Sequence, residues 1–233
     1  MTTFHIIGGG SSVAQSLTDL KSSDEEFILY SREKPLWLTH SISGINWQKI
    51  EYSLNGAQNV NLILKPNSSN CFILAASALT RKLLINYPTN LITSEIESGI
   101  IFPFVLMQRL IQISISYNLK SNFIFLSSTL AISGQSGAIV YNLTKASIES
   151  LSKSISKEYG NFGIRSNVIR IGFMDQGMGS GLSESKKAAI IGNSSSRKSV
   201  QAPSLNSVVR LLNLNPDLNG IEINLDAGLS FHI

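Results

Sequence analysis

Short apolar runs alternate along this chain with longer segments that have the periodicity of helices. The runs predict buried strands at residues 4–7, 27–30, 71–74, 123–126, 166–171 and 221–225. Strands this apolar require cover on both faces, which favours a parallel sheet between two layers of helices. The pattern therefore predicts an α/β fold in which a doubly wound sheet forms the middle layer.

Apolar residues at helical spacing predict the covering layers. The predicted helices span residues 13–20, 94–117, 140–159 and 184–191. In the third of these, Ile148, Leu151 and Ile155 recur on one face. Gly160 follows as a stop signal. Pro103 lies within the second helix, and because proline lacks a backbone N–H and clashes with the preceding turn, we expect a kink or a new helix start there.

The segment 175–202 is rich in Gly, Ser and Lys and has little periodicity outside the short helix at 184–191. Beside a rigid sheet, such a segment is typical either of a mobile lid over a substrate or of an ordinary surface loop. The chain has no internal repeat and no linker. We therefore expect residues 1–233 to form one domain, with 175–202 as its substrate-loop region.

Composition supports one domain and limits its partners. Of the 233 residues, 43% are hydrophobic, which is enough to bury a substantial core. The net charge is +4, but Lys and Arg are scattered, and the densest clusters are only Arg81-Lys82 and Lys186-Lys187. A nucleic-acid partner is therefore not expected. The three histidines have no metal-ligand spacing, so no metal site is expected.

The distribution of apolar residues favours the cytoplasm. Cys71 is alone within an apolar run, which is typical of a buried small hydrophobe in a reducing compartment. The N-terminal residues lack the basic region and long hydrophobic stretch of a signal peptide. The most apolar segment, residues 99–107, is too short to cross a bilayer. We expect a cytoplasmic protein with no membrane partner.

Three glycines lie where the first predicted strand turns into the first predicted helix, in the sequence Gly8-Gly9-Gly10-Ser11-Ser12. Glycine lets the backbone turn tightly and approach a pyrophosphate, whose charge is favoured by free amides at a helix N-terminus. Glycine-rich turns between a strand and a helix also occur for purely structural reasons. The motif alone does not decide between these two interpretations.

Arg32 follows the second predicted strand, at a place where an acidic residue would hydrogen-bond a ribose 2′-hydroxyl and repel a 2′-phosphate. An arginine can instead pair with that phosphate. The residue therefore favours NADP over NAD, and a solvated surface arginine is the alternative interpretation.

Tyr141 and Lys145 lie four residues apart in the third predicted helix and so share one face. A nearby ammonium stabilises a phenolate, so we expect Lys145 to lower the pKa of Tyr141 and make it a usable acid at neutral pH. Ser128 follows the strand predicted at residues 123–126. In a doubly wound sheet the carboxyl ends of the strands face the ligand crevice, so we expect the Ser128 hydroxyl near a substrate carbonyl.

Together these motifs resemble the short-chain dehydrogenase/reductase family along nearly the whole chain. The glycine turn resembles the family's cofactor turn, and Ser128, Tyr141 and Lys145 have its catalytic spacing. Further similarities are those of residues 163–168 to a later strand, 172–175 to the nicotinamide-side loop and 219–228 to the last strand.

The resemblance implies a Rossmann-like, three-layer αβα domain that binds a nicotinamide dinucleotide. It implies that a hydride passes between the nicotinamide and a carbonyl or alcohol carbon, with Tyr141 as the proton donor or acceptor. Lys145 would hold the nicotinamide ribose, and Ser128 would polarise the carbonyl. The cofactor contacts that it implies are Gly8, Gly10, Ser11, Ser12, Val13, Arg32, Ala75, Ala76, Tyr141, Lys145, Gly172 and Met174.

The function expected from the residues and the resemblance is that of an NADP-dependent carbonyl reductase or alcohol dehydrogenase. The polar, Lys-containing segment 175–202 favours a small substrate that is sugar-like or phosphorylated. Relatives tend to assemble through their long helices, so a homodimer or homotetramer is expected.

Several positions depart from the family pattern. Gly99 stands where many relatives have a catalytic asparagine, and Ala75-Ala76 stand where two asparagines are usual. These departures leave open a family member that has lost cofactor binding and acts as a scaffold or regulatory subunit. A nucleotide-sugar epimerase or dehydratase of the related extended family is a third alternative, but the short chain after Gly172 leaves little room for its larger substrate domain.

Overall fold

Parallel strands form one sheet in the computed structural model, which describes residues 1–66 and 68–232. The strands are β1 (Thr2–Ile7), β2 (Glu25–Ser31), β3 (Ile45–Lys49), β4 (Ser69–Leu74), β5 (Ser121–Ser128), β6 (Ile164–Ile171) and β7 (Glu222–Leu225). The seven strands have the order β3-β2-β1-β4-β5-β6-β7, and each neighbouring pair is parallel. The order reverses between β1 and β4, which creates a crevice at their carboxyl ends where ligands bind in such sheets.

Helices cover both faces of the sheet. They are α1 (Ser12–Asp19), α2 (Leu54–Asn59), α3 (Thr89–Ile96), α4 (Phe102–Ser116), α5 (Leu130–Ser133), α6 (Ile139–Tyr159), α7 (Glu184–Gly192) and α8 (Ala202–Leu214). On one face, Leu106 of α4 and Ile148 of α6 pack in one core with Phe123 of β5. On the other face, Leu17 of α1 and Leu205 of α8 belong to a second core. The predicted three-layer αβα domain is confirmed.

All six predicted strands are present, and the seventh, β3, was not among them. Asn46, Gln48 and Lys49 interrupt its apolar pattern, because this strand lies at the edge of the sheet and is only partly covered. Helices α2, α5 and α8 were likewise not predicted. The predicted segment 175–202 contains α7 close to its predicted bounds.

Helices α3 and α4 are joined without a break by a π-helical turn, Glu97–Ile101. Pro103 lies in the first turn of α4, directly after the π-helical turn, so the expected new helix start at this proline is present. The same turn brings Gly99 against α6. A Cβ atom added to Gly99 would lie 2.5 Å from Cγ2 of Thr144, so a side chain at this position would collide with α6.

This continuous helix corrects the expectation about membrane-spanning length. Residues 89–116 form 28 residues of helix whose best window has a mean hydropathy of 1.5, so the helix is long and apolar enough to cross a membrane by length and composition. The prediction had considered only residues 99–107. In the fold, Phe102, Leu106 and Leu110 are fully buried against the sheet, and packing in this core accounts for their apolar character.

Cys71 lies in the centre of β4 and is fully buried, as predicted. Burial raises the pKa of its thiol to about 12. The thiolate, which is the reactive form, is therefore suppressed at neutral pH.

We expect Gly99→Ala to destabilise the protein by roughly 1–3 kcal/mol, because overpacking against Thr144 outweighs the better helix propensity of alanine. Urea unfolding measures this change. Gly181→Ala is the matched control, since no atom lies within 4 Å of a Cβ built there. Equal unfolding midpoints for the two variants would show that Thr144 moves aside without a measurable loss of stability, which would contradict the prediction.

Candidate active site

The glycine turn lies at the carboxyl end of β1, beside β4. Gly8 has φ +105°, and a Cβ atom there would lie 2.6 Å from the backbone nitrogen of Ala76. Both facts require glycine at this position. A Cβ atom added to Gly9 would lie 2.7 Å from Cβ of Leu29, so Gly9 packs closely on β2. A Cβ built on Gly10, in contrast, has its nearest neighbour at 3.8 Å, so the missing side chain of Gly10 leaves open space above the backbone.

This open backbone begins α1. The Ser11 hydroxyl accepts a hydrogen bond from the backbone N–H of Ala14 at 3.1 Å and so caps the helix. The free amides of the first turn and the open space at Gly10 fit a phosphate group.

A cavity of about 500 Å³, here named the Arg32 cavity, extends from this turn toward the edge of the sheet. Arg32 and Lys34 line it, and the Arg32 guanidinium carbon lies 5.5 Å from the ring centroid of Tyr52. The chain turn that carries them is held by Ser31, whose hydroxyl donates to the carbonyl oxygen of Glu33 at 2.6 Å. Lys34 was not among the predicted contacts, because only the residue directly after the strand was considered.

A larger cavity of about 810 Å³, here named the main cavity, lies at the carboxyl ends of β5 and β6. Ser128, Tyr141 and Lys145 all line it, so the fold brings together the three predicted catalytic residues. The Arg32 cavity and the main cavity share Gly10 and Ser11. The predicted cofactor contacts Gly8, Gly10, Ser11, Ser12, Val13, Arg32, Ala75, Ala76, Tyr141, Lys145, Gly172 and Met174 all line one or both of these cavities.

Tyr141 is buried, and burial raises the pKa of its hydroxyl above the ordinary value. Hydrogen bonds with the hydroxyls of Ser128 and Ser77, and the charge of Arg81, act in the opposite direction. The expectation that Lys145 lowers this pKa was wrong for the chain alone. The Lys145 ammonium lies 5.6 Å from the centroid of the Tyr141 ring and is directed elsewhere.

Lys145 donates a hydrogen bond from Nζ to the carbonyl oxygen of Leu126 at 2.7 Å. Burial lowers the pKa of Lys145 from its ordinary 10.5 to about 8, and the negative charge of Glu149 one turn later opposes that shift. A substantial fraction of this lysine is therefore neutral slightly above physiological pH.

Glu149 anchors α6 to the sheet. Its carboxylate accepts hydrogen bonds from the Ser127 hydroxyl at 2.6 Å and from Arg170 Nε at 2.9 Å. Arg170 also pairs with Glu222 at 2.6 Å, and its bonds with Glu149 raise its own pKa. This network joins α6 to β5, β6 and β7. Its members are polar residues in apolar surroundings, and that signal was available in the sequence but was not used.

The chain after β6 returns to the glycine turn. A Cβ atom at Gly172 would lie 2.7 Å from Cα of Asp226, so glycine lets the end of β6 approach β7. A Cβ atom at Gly177 would lie 2.8 Å from the Ser12 hydroxyl, which shows that this segment lies against the start of α1. Farther on, Lys187 of α7 pairs with Asp175 at 2.9 Å. The segment therefore forms one wall of the main cavity.

The space around the glycine turn has the shape that a dinucleotide needs. The open backbone at Gly10 leaves space of the kind that a phosphate needs, and both the Arg32 cavity and the main cavity with Tyr141 adjoin it. Adjoining spaces around one anion-binding turn match a molecule with two ends and a central pyrophosphate.

We expect Lys145→Met to remove a pH-dependent cost of burying the ammonium, roughly 1–3 kcal/mol at pH 7 in the nucleotide-free protein, which acts against the pH-independent loss of the bond to the Leu126 carbonyl. Below pH 8 the lysine is charged in both states and this cost is complete. Between about pH 8 and 10.5 the folded state loses the proton first, so the cost fades and the advantage of the variant shrinks.

Urea unfolding at pH 7 and pH 9.5 measures the effect of Lys145→Met on the free energy of unfolding and the change of that effect with pH. Lys157→Met, an exposed position on the same helix, is the control, and its effect should not depend on pH. A Lys145→Met effect that is equal at the two pH values would contradict the burial cost.

Comparison with known proteins identifies the family and the fold of this chain. The family model described as Enoyl-(Acyl carrier protein) reductase matches residues 100–230, more than half of the chain. No curated protein sequence matches. Three similar solved structures are a short chain dehydrogenase family protein from Francisella tularensis (TM-score 0.84, 16% identity, 99% of both chains), a short chain dehydrogenase from Leptospira borgpetersenii with bound NAD+ (0.83, 17%, 98% of this chain and 92% of that one) and ElxO with NADP bound (0.85, 17%, 98% of both). With the family model and the fold in agreement, the chain belongs to the short-chain dehydrogenase/reductase family.

Proposed function

We propose that this protein is an NADP(H)-dependent carbonyl reductase or alcohol dehydrogenase. The observation that carries the proposal is the shared cavity of Ser128, Tyr141 and Lys145, which adjoins the glycine turn. A non-catalytic scaffold would not require the hydrogen-bonded hydroxyls of Tyr141 and Ser128 and the buried ammonium of Lys145 in the same cavity. The non-catalytic alternative is therefore not favoured.

In this proposal each polar group has one task. The bound nicotinamide nucleotide supplies or accepts the hydride. The Tyr141 hydroxyl donates its proton to the carbonyl oxygen of the substrate, or accepts a proton in the reverse direction. The Ser128 hydroxyl hydrogen-bonds the same oxygen as negative charge develops on it. The Lys145 ammonium binds the nucleotide ribose.

The preference for NADP rests on two cations. Arg32 and Lys34 line the same cavity near the glycine turn together with Glu33, so the lining has a net positive charge, which favours the 2′-phosphate of the nucleotide. Solved structures similar to this chain include one with NADP bound and one with bound NAD+, so the family accommodates both nucleotides.

We also propose that the enzyme works in the cytoplasm as a homodimer or homotetramer, on a small-molecule carbonyl or alcohol. Ile101 and Phe104 near the start of α4 are 41% and 45% exposed, and such apolar positions suit contact with a second copy. Light scattering of the purified protein measures its mass in solution.

Arg32→Ala should weaken NADPH binding by about 10- to 100-fold, because one charge-assisted contact to the 2′-phosphate is lost. NADH, which lacks that phosphate, is the internal control and should change by less than about 3-fold. Nicotinamide fluorescence titration measures both dissociation constants. Equal weakening of the two nucleotides would argue against the 2′-phosphate contact.

Tyr141→Phe should lower kcat by about 100-fold or more for any aldehyde, ketone or oxo acid that the unmodified protein reduces, since the ring remains and the proton donor is lost. The dissociation constant for NADPH should stay within about 3-fold, which separates catalysis from binding. Absorbance of NADPH follows turnover. Unchanged kcat would remove Tyr141 from the proposed mechanism.

A further inference from the structure

The formal charges that line the main cavity are positive. Among the described residues in its wall, only Arg81 and Lys145 carry a charge at neutral pH. Lys145 is 5% exposed and its ammonium is bonded to the Leu126 carbonyl. Arg81 is exposed, so it is the cation that an incoming molecule meets.

Arg81 has no carboxylate partner within the described part of the chain, where every salt bridge involves other side chains. Arg81 and Tyr141 line the same cavity, and the positive charge of Arg81 partly offsets the rise in the pKa of Tyr141 that burial causes. Charge interactions near a surface fade over about 8–10 Å at physiological salt. A small molecule at Tyr141 is therefore within reach of the guanidinium.

The backbone around Arg81 is held in place. The N–H of Lys82 donates to the carbonyl oxygen of Gly137 at 3.0 Å, in the loop that precedes α6. On the other side of Arg81, the hydroxyl of Tyr87 donates its proton to the Glu95 carboxylate at 2.5 Å and lies 3.5 Å from the carbonyl oxygen of Thr80. The segment that carries Arg81 is thus tied to the loop leading into the helix that carries Tyr141.

The remaining wall of the main cavity contains several apolar side chains. Leu79, Leu130, Met178, Leu182 and Ile190 line it. These walls favour a carbon frame more apolar than that of the sugar-like substrate suggested by the composition of residues 175–202.

We propose that the substrate is an organic anion, with a carboxylate or phosphate ester on an apolar carbon frame, and that Arg81 binds the anionic group while the carbonyl lies at Ser128 and Tyr141. A guanidinium binds carboxylates and phosphates through two parallel hydrogen bonds, so it orients the substrate as well as attracting it. This inference rests on the proposed function, since it specifies the substrate of the same cavity.

The test is calorimetric binding of matched probes to the whole chain, with and without saturating NADPH. The probes are 4-phenylbutyrate, its methyl ester, and phenyl phosphate. The variants are Arg81→Gln, Arg81→Lys, and the neighbouring Lys82→Gln as a control that removes an equal charge from a residue outside the cavity wall.

We expect an anionic probe to bind at least about 10-fold more tightly than the ester. Arg81→Gln should remove that difference, Arg81→Lys should keep part of it, and Lys82→Gln should keep all of it. Preference for 4-phenylbutyrate or for phenyl phosphate identifies which anion the site selects.

Equal binding of acid and ester, identical behaviour of Arg81→Gln and Lys82→Gln, or no binding of either anion would each overturn the inference. NADPH binding by fluorescence is measured on the same samples. If the protein binds NADPH but fails the probe test, only the proposal of an anionic substrate is contradicted. If the protein does not bind NADPH, the proposed function itself is contradicted.

Discussion

The polar face of α6, turned inward against the sheet, is the feature on which the site depends. Lys145, Glu149 and Ser152 lie along that face and are all buried. Each has a partner in the sheet: Lys145 bonds the Leu126 carbonyl, Glu149 bonds Ser127, and Ser152 bonds Ser166 at 2.8 Å. Buried polar groups are costly without partners, so the helix cannot slide or rotate without losing several bonds together. This locks Tyr141 at one place in the main cavity.

The close approach of backbone to backbone completes the arrangement. Gly8 lets β1 turn beside Ala76, and Gly99 lets the π-helical turn pack on Thr144 of α6. Where family members often have an asparagine, this chain has no room for any side chain at residue 99. Glycine at residue 99, which departs from the family pattern, is therefore required by the close packing of this turn on Thr144 of α6.

Agreement between sequence and structure was greatest where burial is complete. The central strands β1, β4, β5 and β6 lie between two apolar layers, so their sequences are continuous apolar runs that predict strands directly. Strand β3 at the edge and the short helix α2 have mixed sequences, because one side of each faces solvent. The helix predicted at residues 94–117 begins five residues earlier in the structure, at Thr89, because residues 89–93 are mostly polar or β-branched and have weak helix propensity.

The sequence by itself determined the layers of the fold, the glycine turn, and the spacing of Tyr141 and Lys145, because these depend on local periodicity and on residue type. Only the tertiary structure decided the electrostatics of the site. Burial raises the pKa of Tyr141 and lowers that of Lys145 to about 8, and Arg81 becomes a neighbour of a residue sixty positions away in the chain. Desolvation and charge interactions depend on what surrounds a group in space, and no local pattern encodes those surroundings.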